Sequence, residues 1–309
     1  MRKETIYSIT SPYREPMDIV GYRFGSGERS LCIVGSMRGN EVQQMYVCSQ
    51  LVQKFKRLEK EGKITPGHEI LIIPCVNYYS MNIGKRFWTM DNTDINRMFP
   101  GYDMGETTQR IADGLFEEIQ GYKFGIQFAS FYQQGDFLSH VKMMETGFTD
   151  HAYMNDFGLP YAFIRTPRPY DTTTLNYNWQ IWETKAFSLY TNATDQIDLP
   201  SAKIAIDAVL RFSYKNGITS QKIPGGNLTE IISESELIQL HSVKAGVYRP
   251  YVGTGDSFEK GQLLCEILDP LEGNVIERIT APTDGIVFFR YNRPLVFAEA
   301  VIYKIVCGK

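Results

Sequence analysis

The order of elements between residues 31 and 76 constrains the fold more than any other feature of the sequence. Leu31–Val34 is a short, continuous apolar run of the kind found in buried strands. Apolar residues then recur at helical spacing, which predicts a helix from about Glu41 to Glu61. A second buried strand is predicted at residues 69–76. A strand, a helix and a strand in this order predict a parallel α/β sheet.

Other elements follow from the same patterns. Residues 17–36 are predicted to form a β-hairpin that turns at Gly25, Ser26 and Gly27. Further helices are predicted at about 106–120 and 201–216, strands at 124–130 and 186–189, and loops at 77–104 and 165–180.

The pattern changes near residue 226. From about Asn227 onward, short apolar runs alternate with turn signals such as Gly255-Asp256 and Asp284-Gly285. Such a pattern is typical of an all-β module. We therefore predict two domains, an α/β domain at residues 1–226 and an all-β domain at residues 227–309.

Composition excludes several classes of protein. The formal net charge is −3 and the sequence has no basic tract, so nucleic acid is not an expected partner. No apolar stretch approaches the roughly 20 residues that span a bilayer, and the first residues lack the apolar core of a signal peptide. The five cysteines show no CxxC spacing, which favours reduced thiols. These features predict a cytoplasmic protein without a membrane partner.

Three segments carry recognisable motifs: a strand-to-helix turn at Val34–Glu41, the sequence Asp94-Ile-Asn-Arg-Met-Phe-Pro-Gly101, and the turns of the C-terminal module at 255–262 and 281–287. Together they resemble the succinylglutamate desuccinylase/aspartoacylase family of the zinc carboxypeptidase-like superfamily. The resemblance implies an α/β fold with a zinc carboxypeptidase-like mixed sheet flanked by helices. It also implies a C-terminal all-β domain, a barrel-sandwich similar to lipoyl and biotinyl domains.

The resemblance implies a zinc hydrolase site, from which this sequence departs. The family binds zinc through two histidines and a glutamate, and a further glutamate acts in catalysis. At the three ligand positions this sequence has Arg38, Glu41 and Ala129, and Tyr190 aligns with the catalytic glutamate. Arginine is always protonated and alanine has no donor atom, so no metal is expected here. We hypothesise instead that the Arg38 guanidinium pairs with Glu41.

The residues that bind substrate in the family are present. The resemblance gives Asn96 and Arg97 the role of binding a substrate carboxylate, and gives Arg86 a role in orienting or polarising the substrate. Alternatively, both arginines pair with local carboxylates such as Asp94 and only stabilise the loop. His140 is interpreted as a pocket-lining residue, with replacement metal ligation as the alternative.

Three functions remain open. The first is a protein with a degenerate zinc site, a pseudoenzyme that retains a carboxylate-binding pocket and needs no cofactor. The second is an active metal-dependent deacylase of N-acyl amino acids or related amides, which would need zinc. The third is a structural paralogue that assembles with an active homologue. The expected partner is a small carboxylate-bearing molecule such as an N-acyl amino acid, and a homo-oligomer is compatible with the resemblance.

Overall fold

The computed structural model describes residues 1–308, without the side chain of Arg14. The chain forms two compact units. Unit 1 contains Met1–Ser130 and Ser139–Ile231, and unit 2 contains Phe131–Leu138 together with the chain from Ile232 onward. The prediction of domains at 1–226 and 227–309 did not anticipate that the segment 131–138 lies in unit 2.

The strands up to the end of unit 1 are β1 (Arg2–Ser11), β2 (Arg14–Gly25), β3 (Gly27–Ser36), β4 (Gly67–Cys75), β5 (Phe124–Ala129), β6 (Asp136–Phe137, in unit 2), β7 (His140–Met144), β8 (Tyr161–Arg165), β9 (Lys185–Tyr190) and β10 (Glu230–Ser233). The helices are α1 (Val42–Lys60), α2 (Tyr78–Asn82), α3 (Thr107–Ile119), α4 (Leu175–Ile181) and α5 (Leu199–Lys215), with short 3₁₀ turns at Ile95–Arg97, His151–Phe157 and Pro169–Asp171.

Unit 1 is built on one mixed sheet in the order β1-β2-β4-β3-β5-β9-β7-β8-β10. Strands β4, β3, β5 and β9 are mutually parallel, as the strand–helix–strand pattern predicted. Helices cover both faces. One apolar cluster contains residues of α1 and α5, and the other contains residues of α3 and α4. The predicted fold class, a mixed sheet flanked by helices with an additional all-β domain, is confirmed.

The predicted hairpin at residues 17–36 is wrong. Gly25 and Gly27 adopt positive φ angles and reverse the chain, but β2 and β3 are not neighbours in the sheet. Strand β4 lies between them, antiparallel to β2 and parallel to β3. The turn residues were therefore identified correctly, but the sheet partners were not, because a strand that comes later in the chain separates the two.

The segment 165–180, predicted to be a loop, contains helix α4. Its first residue follows Thr174, whose side chain accepts a hydrogen bond from the amide of Tyr177. Capping of this kind satisfies one of the amides that a helix leaves unpaired at its start. Leu175 and Trp179 are fully buried beneath it, at the i, i+4 spacing of a helical contact face.

Unit 2 consists of two antiparallel sheets. The first contains β11 (Ile238–His241), β18 (Val301–Cys307), β16 (Gly285–Arg290) and β13 (Ser257–Phe258), with β6 paired to β16. The second contains β15 (Val275–Thr280), β14 (Leu263–Leu268), β12 (Gly246–Pro250) and β17 (Leu295–Val296). A separate apolar cluster forms its core. In neither unit does the described chain contain a helix long and apolar enough to cross a membrane.

The five cysteines are free thiols, and only Cys307 is exposed. Burial raises the pKa of Cys75 and of Cys265 to about 12, and also raises the pKa of Cys32 and Cys48. A thiol reacts as its thiolate. We therefore expect one rapidly reacting thiol per native chain at pH 8 and five after unfolding, measured with a chromogenic disulfide reagent. Cys307→Ser should abolish the rapid phase; a rapid phase that persists would contradict the assignment.

Candidate functional site

The turn between β3 and α1 places Arg38 beside Glu41. Both are buried, with 3% and 0% of their surface exposed. Glu41 Oε1 accepts hydrogen bonds from Arg38 Nη1 at 3.0 Å and from the Ser130 hydroxyl at 2.5 Å. Its Oε2 accepts from the backbone amides of Met37, at 2.8 Å, and Arg38, at 2.9 Å. The hypothesised Arg38–Glu41 ion pair is therefore present, and four donors surround the carboxylate.

Asp94 forms the other side of this cluster. Its Oδ2 accepts from Arg38 Nε at 3.1 Å and from Nη2 at 2.9 Å, so the planar guanidinium lies between two carboxylates. Its Oδ1 accepts from the backbone amide of Asn96 at 3.0 Å. Arginine suits such a position because its fixed fork donates in two directions at once. The Asp94–Gly101 motif is thereby joined to the β3–α1 turn.

These residues do not fit a zinc ion. Among residues 1–308, no group of three or more His, Cys, Asp or Glu side chains is arranged to bind a metal. The carboxylate of Glu41 already accepts four hydrogen bonds. A divalent cation about 4 Å from the Arg38 guanidinium would meet a repulsion of about 8 kcal/mol at an effective dielectric constant of 20. Ala129, at the third ligand position of the family, offers no donor atom.

Gly39 allows the loop that contains Arg86 to approach this turn closely. Its amide donates to the Arg86 carbonyl at 2.9 Å. A Cβ atom at Gly39 would lie 2.2 Å from the Lys85 carbonyl oxygen and 2.4 Å from the carbonyl carbon of Ser80. The guanidinium of Arg86 lies 5.7 Å from the ring of Phe87. Arg86 is thus fixed to the Arg38–Glu41 turn through its backbone.

Gly39→Ala is expected to lower the free energy of unfolding by at least ~2 kcal/mol, because the new methyl group overlaps backbone that cannot rotate away. Chemical denaturation measures the change. Gly62→Ala is a suitable control, since Gly62 has φ +65° and open space around its Cβ position. Gly62→Ala should lower the free energy of unfolding only by the cost of the backbone strain, about 1–2 kcal/mol. Equal losses in the two variants would contradict the close approach at Gly39.

Strand register brings the other candidate residues together in two rows on one face of the sheet. The outer row consists of Ala129, Tyr190 and His140, which pair across β5, β9 and β7. The inner row consists of Gln127, Ser188 and Lys142, paired across the same strands. All three inner-row residues are buried. A buried row of polar side chains is uncommon where a sheet packs against helices, and such rows are typical of binding sites.

Asn96 lies against the inner row in a fixed orientation. Its Oδ1 accepts from Gln127 Nε2 at 3.0 Å and from the backbone amide of Leu175 at 3.3 Å. A backbone amide can only donate, so the atom that faces Leu175 must be the oxygen. The Nδ2 group of Asn96 is consequently directed away from these two partners, where it can donate to a ligand.

Arg97 has a local carboxylate partner in Asp171. The Nη1 atom of Arg97 lies 3.4 Å from Asp171 Oδ1 and donates to the Tyr170 carbonyl. Arg165 Nη2 lies 2.8 Å from Asp171 Oδ2, so the two arginines share one carboxylate. The Arg97 side chain keeps 24% of its surface exposed. The anticipated alternative of local pairing thus applies to Arg97, with a shared partner.

His140 and Tyr190 contact each other. Their rings are stacked, with centroids 4.7 Å apart and planes 3° from parallel. The Phe163 ring packs edge-on against the His140 ring, with the two centroids 5.1 Å apart. Lys142 Nζ lies 5.3 Å from the centroid of the Tyr190 ring. Tyr190 therefore lies beside Ala129 in the outer row, within a cluster of aromatic and cationic side chains.

Sequence reasoning missed Lys142, Ser188 and Asn176. Lys142 stands inside the strand His-Val-Lys-Met-Met, where a charged residue within an apolar run was a detectable signal. Ser188 was placed in a predicted strand without a role. Asn176 lay in the segment interpreted as a loop, where no side-chain direction is defined.

Comparison with known proteins identifies the family of the chain. Residues 28–189, more than half of the chain, match the family model of the succinylglutamate desuccinylase/aspartoacylase catalytic domain. The N-alpha-acetyl-L-2,4-diaminobutyric acid deacetylase of Halomonas elongata is 28% identical over 89 residues, which span 29% of this chain and only 24% of that protein.

Solved structures show the same fold. A succinylglutamate desuccinylase from Silicibacter sp. TM1040 superposes with a TM-score of 0.79 at 17% identity, covering 98% of this chain and 92% of that one. The ectoine utilization protein EutE (DoeB) from Ruegeria pomeroyi gives a TM-score of 0.77 at 18% identity, covering 95% and 90%. The family model and the fold lead to one conclusion: the chain belongs to the succinylglutamate desuccinylase/aspartoacylase family of deacylases.

Proposed function

We propose that this chain is a family member without a catalytic zinc, which binds a small carboxylate-bearing molecule such as an N-acyl amino acid. The observation that carries the proposal is the state of Glu41, whose carboxylate accepts four hydrogen bonds, one of them from the buried Arg38 guanidinium. Zinc coordination by Glu41 would require these bonds to break beside a fixed positive charge. The binding function rests on Asn96, Arg97 and Arg86, with His140 and Tyr190 lining the pocket.

The proposed ligand carboxylate has suitable partners among these residues. Asn96 directs its Nδ2 group away from the residues that fix it, and Arg97 shares Asp171 with Arg165. The Arg97 side chain keeps 24% of its surface exposed, and the two parallel N–H groups of a guanidinium match a carboxylate in geometry. Under this proposal Arg86 orients the ligand, and Tyr190 does not act as a general base.

Metal analysis and a binding assay test the proposal together. Protein purified without chelator should contain less than ~0.1 zinc per chain, since a single carboxylate does not retain zinc. N-acetyl-L-aspartate and N-acetyl-L-glutamate, tested by calorimetry, should bind without being hydrolysed. One zinc per chain with amidase activity would contradict the proposal in favour of an active deacylase. Binding only in the presence of a co-purified zinc-bearing homologue would favour a structural paralogue.

Arg97→Ala should weaken binding of these acids by about 10- to 100-fold, because a hydrogen bond to a charged group contributes about 1.5–3 kcal/mol. Arg97→Lys keeps the charge and loses the fork, so an intermediate affinity is expected. Arg57→Ala is a control at an exposed helix position, where Arg57 pairs with Glu61. Unchanged binding in Arg97→Ala would exclude this residue from the pocket.

A further inference from the structure

Asn176 has a buried amide group without a partner. The residue is 1% exposed, and neither its Oδ1 nor its Nδ2 atom has a hydrogen-bond partner among the described residues. A buried polar group without a partner is costly, and nearly all such groups in folded proteins are satisfied. Because both atoms lack a partner, exchanging the assignment of oxygen and nitrogen changes nothing. A ligand that offers both a donor and an acceptor would satisfy the Oδ1 and Nδ2 atoms of Asn176.

The register of α4 places this amide over the inner row. The Trp179 ring lies against Gly125 at the start of β5, and Gln180 donates to the Ala186 carbonyl at the start of β9. Asn176 precedes these residues by three and four positions, which is one helical turn on the same face. The turn advances about 5.4 Å, close to two strand residues. The first turn of α4 lies at the level of Gln127, because the Leu175 amide and the Gln127 side chain donate to the same Asn96 Oδ1 atom. Asn176 therefore lies at the level of Gln127 and of its strand partner Ser188.

The side-chain amide of Asn176 can pair fully with only one kind of ligand group. A primary carboxamide carries a carbonyl oxygen and an N–H on the same side, and so can form two parallel hydrogen bonds with the amide of Asn176. A trans secondary amide directs its N–H and C=O to opposite sides, and would leave one atom of Asn176 without a partner. A carboxylate only accepts, so it would leave Oδ1 unsatisfied.

We propose that Asn176 receives a primary carboxamide, or the similar terminal group of a carbamoyl compound, on the same ligand whose carboxylate binds at Asn96 and Arg97. The inference rests on the proposed function and specifies its ligand class as small carboxylates that carry a second, amidated end. Ser188 and Lys142 pair across β9 and β7 in the inner row. Asn176 thereby acts as a specificity-determining residue.

N-acetyl-L-glutamine and N-acetyl-L-glutamate are matched probes, since they differ only in whether the side chain ends in a carboxamide or a carboxylate. Calorimetry on the full chain should show the glutamine compound binding at least ~10-fold tighter, because the acid leaves a buried polar atom unpaired. Asn176→Leu should abolish this preference. Its melting temperature should be unchanged or higher, since an unpaired buried amide is replaced by an apolar side chain of similar size.

Asn178→Leu is the control on the same helix. Asn178 is also buried, but its Nδ2 donates to the carbonyls of Thr172 and Thr174, both at 2.9 Å. This variant should have a lower melting temperature and keep the preference. Equal binding of the two probes to the parent protein would overturn the inference and leave the proposed function standing. The same conclusion would follow if the melting temperature of Asn176→Leu fell as far as that of Asn178→Leu. Failure of both probes to bind would overturn the proposed function and the inference with it.

Discussion

Arg38→Ala is expected to lower the free energy of unfolding by about 3–5 kcal/mol, the usual cost of removing one partner from a buried ion pair. Glu41 would keep its bonds from two backbone amides and from Ser130, but would lose its only charged partner among the hydrogen bonds described above. Asp94 would lose both hydrogen bonds to Oδ2. Chemical denaturation monitored by fluorescence measures the effect.

Two controls separate the charge from the packing. The triple variant Arg38→Met, Glu41→Gln, Asp94→Asn removes every charge of the cluster, and should be destabilised less than Arg38→Ala, because no uncompensated carboxylate remains. Arg57→Ala breaks an exposed pair and should leave the free energy of unfolding nearly unchanged. If Arg38→Ala costs no more than Arg57→Ala, the two carboxylates are hydrated in the native protein, and Arg38 does not compensate their charge.

Much of the fold could be predicted because local patterns determine it. The periodicity of α1, the apolar runs of β3 and β4 and the short strands after Asn227 each depend on residues close together in the sequence. The strand–helix–strand rule then fixes parallel pairing without further information. Sheet neighbours that depend on distant segments were not predictable in this way. The glycines at 25 and 27 signal a reversal, but nothing nearby indicates that β4 enters between β2 and β3.

The same distinction applies to the candidate site. Contacts between residues close together in the sequence could be predicted, and contacts between distant residues could not. Arg38 and Glu41 are three residues apart at a helix start, so their pairing could be hypothesised from sequence. The second partner of Arg38 is Asp94, which follows 56 positions later, and only the folded chain shows the contact. The unpaired amide of Asn176 depends on the register of a seven-residue helix against two strands. No sequence motif indicates that a side chain will lack a hydrogen-bond partner among the described residues of the folded chain.

Under the proposed zinc-free function, the cluster of Arg38, Glu41 and Asp94 provides the charge compensation that a metal ion gives in the family. A family metal site concentrates acidic and imidazole groups in a buried place, where a divalent cation compensates their charge. Here a guanidinium lies between two carboxylates at 2.9–3.1 Å and compensates them. The positive charge remains at the turn, but it is covalently attached and has no open coordination position for water.

Restoring both histidines, as Arg38→His with Ala129→His, is expected to raise bound zinc from less than ~0.1 to about one ion per chain, since two imidazoles and the Glu41 carboxylate form a three-ligand set typical of catalytic zinc sites. Removing Arg38 also removes the repulsion that opposes a divalent cation. Elemental analysis after dialysis against equimolar zinc measures the gain. Binding should weaken below about pH 6, where the imidazoles become protonated.

The single variants Arg38→His and Ala129→His supply at most two ligands each and should retain much less zinc than the double variant. Adding Glu41→Gln to the double variant should reverse the gain, because the third ligand is lost. No amidase activity is expected from zinc binding alone, because the proposed function assigns Tyr190 to the position of the family's catalytic glutamate; Tyr190→Glu on the double variant tests that assignment separately. A folded double variant that binds no more zinc than the single variants would show that residues 38 and 129 do not lie at the family's ligand positions.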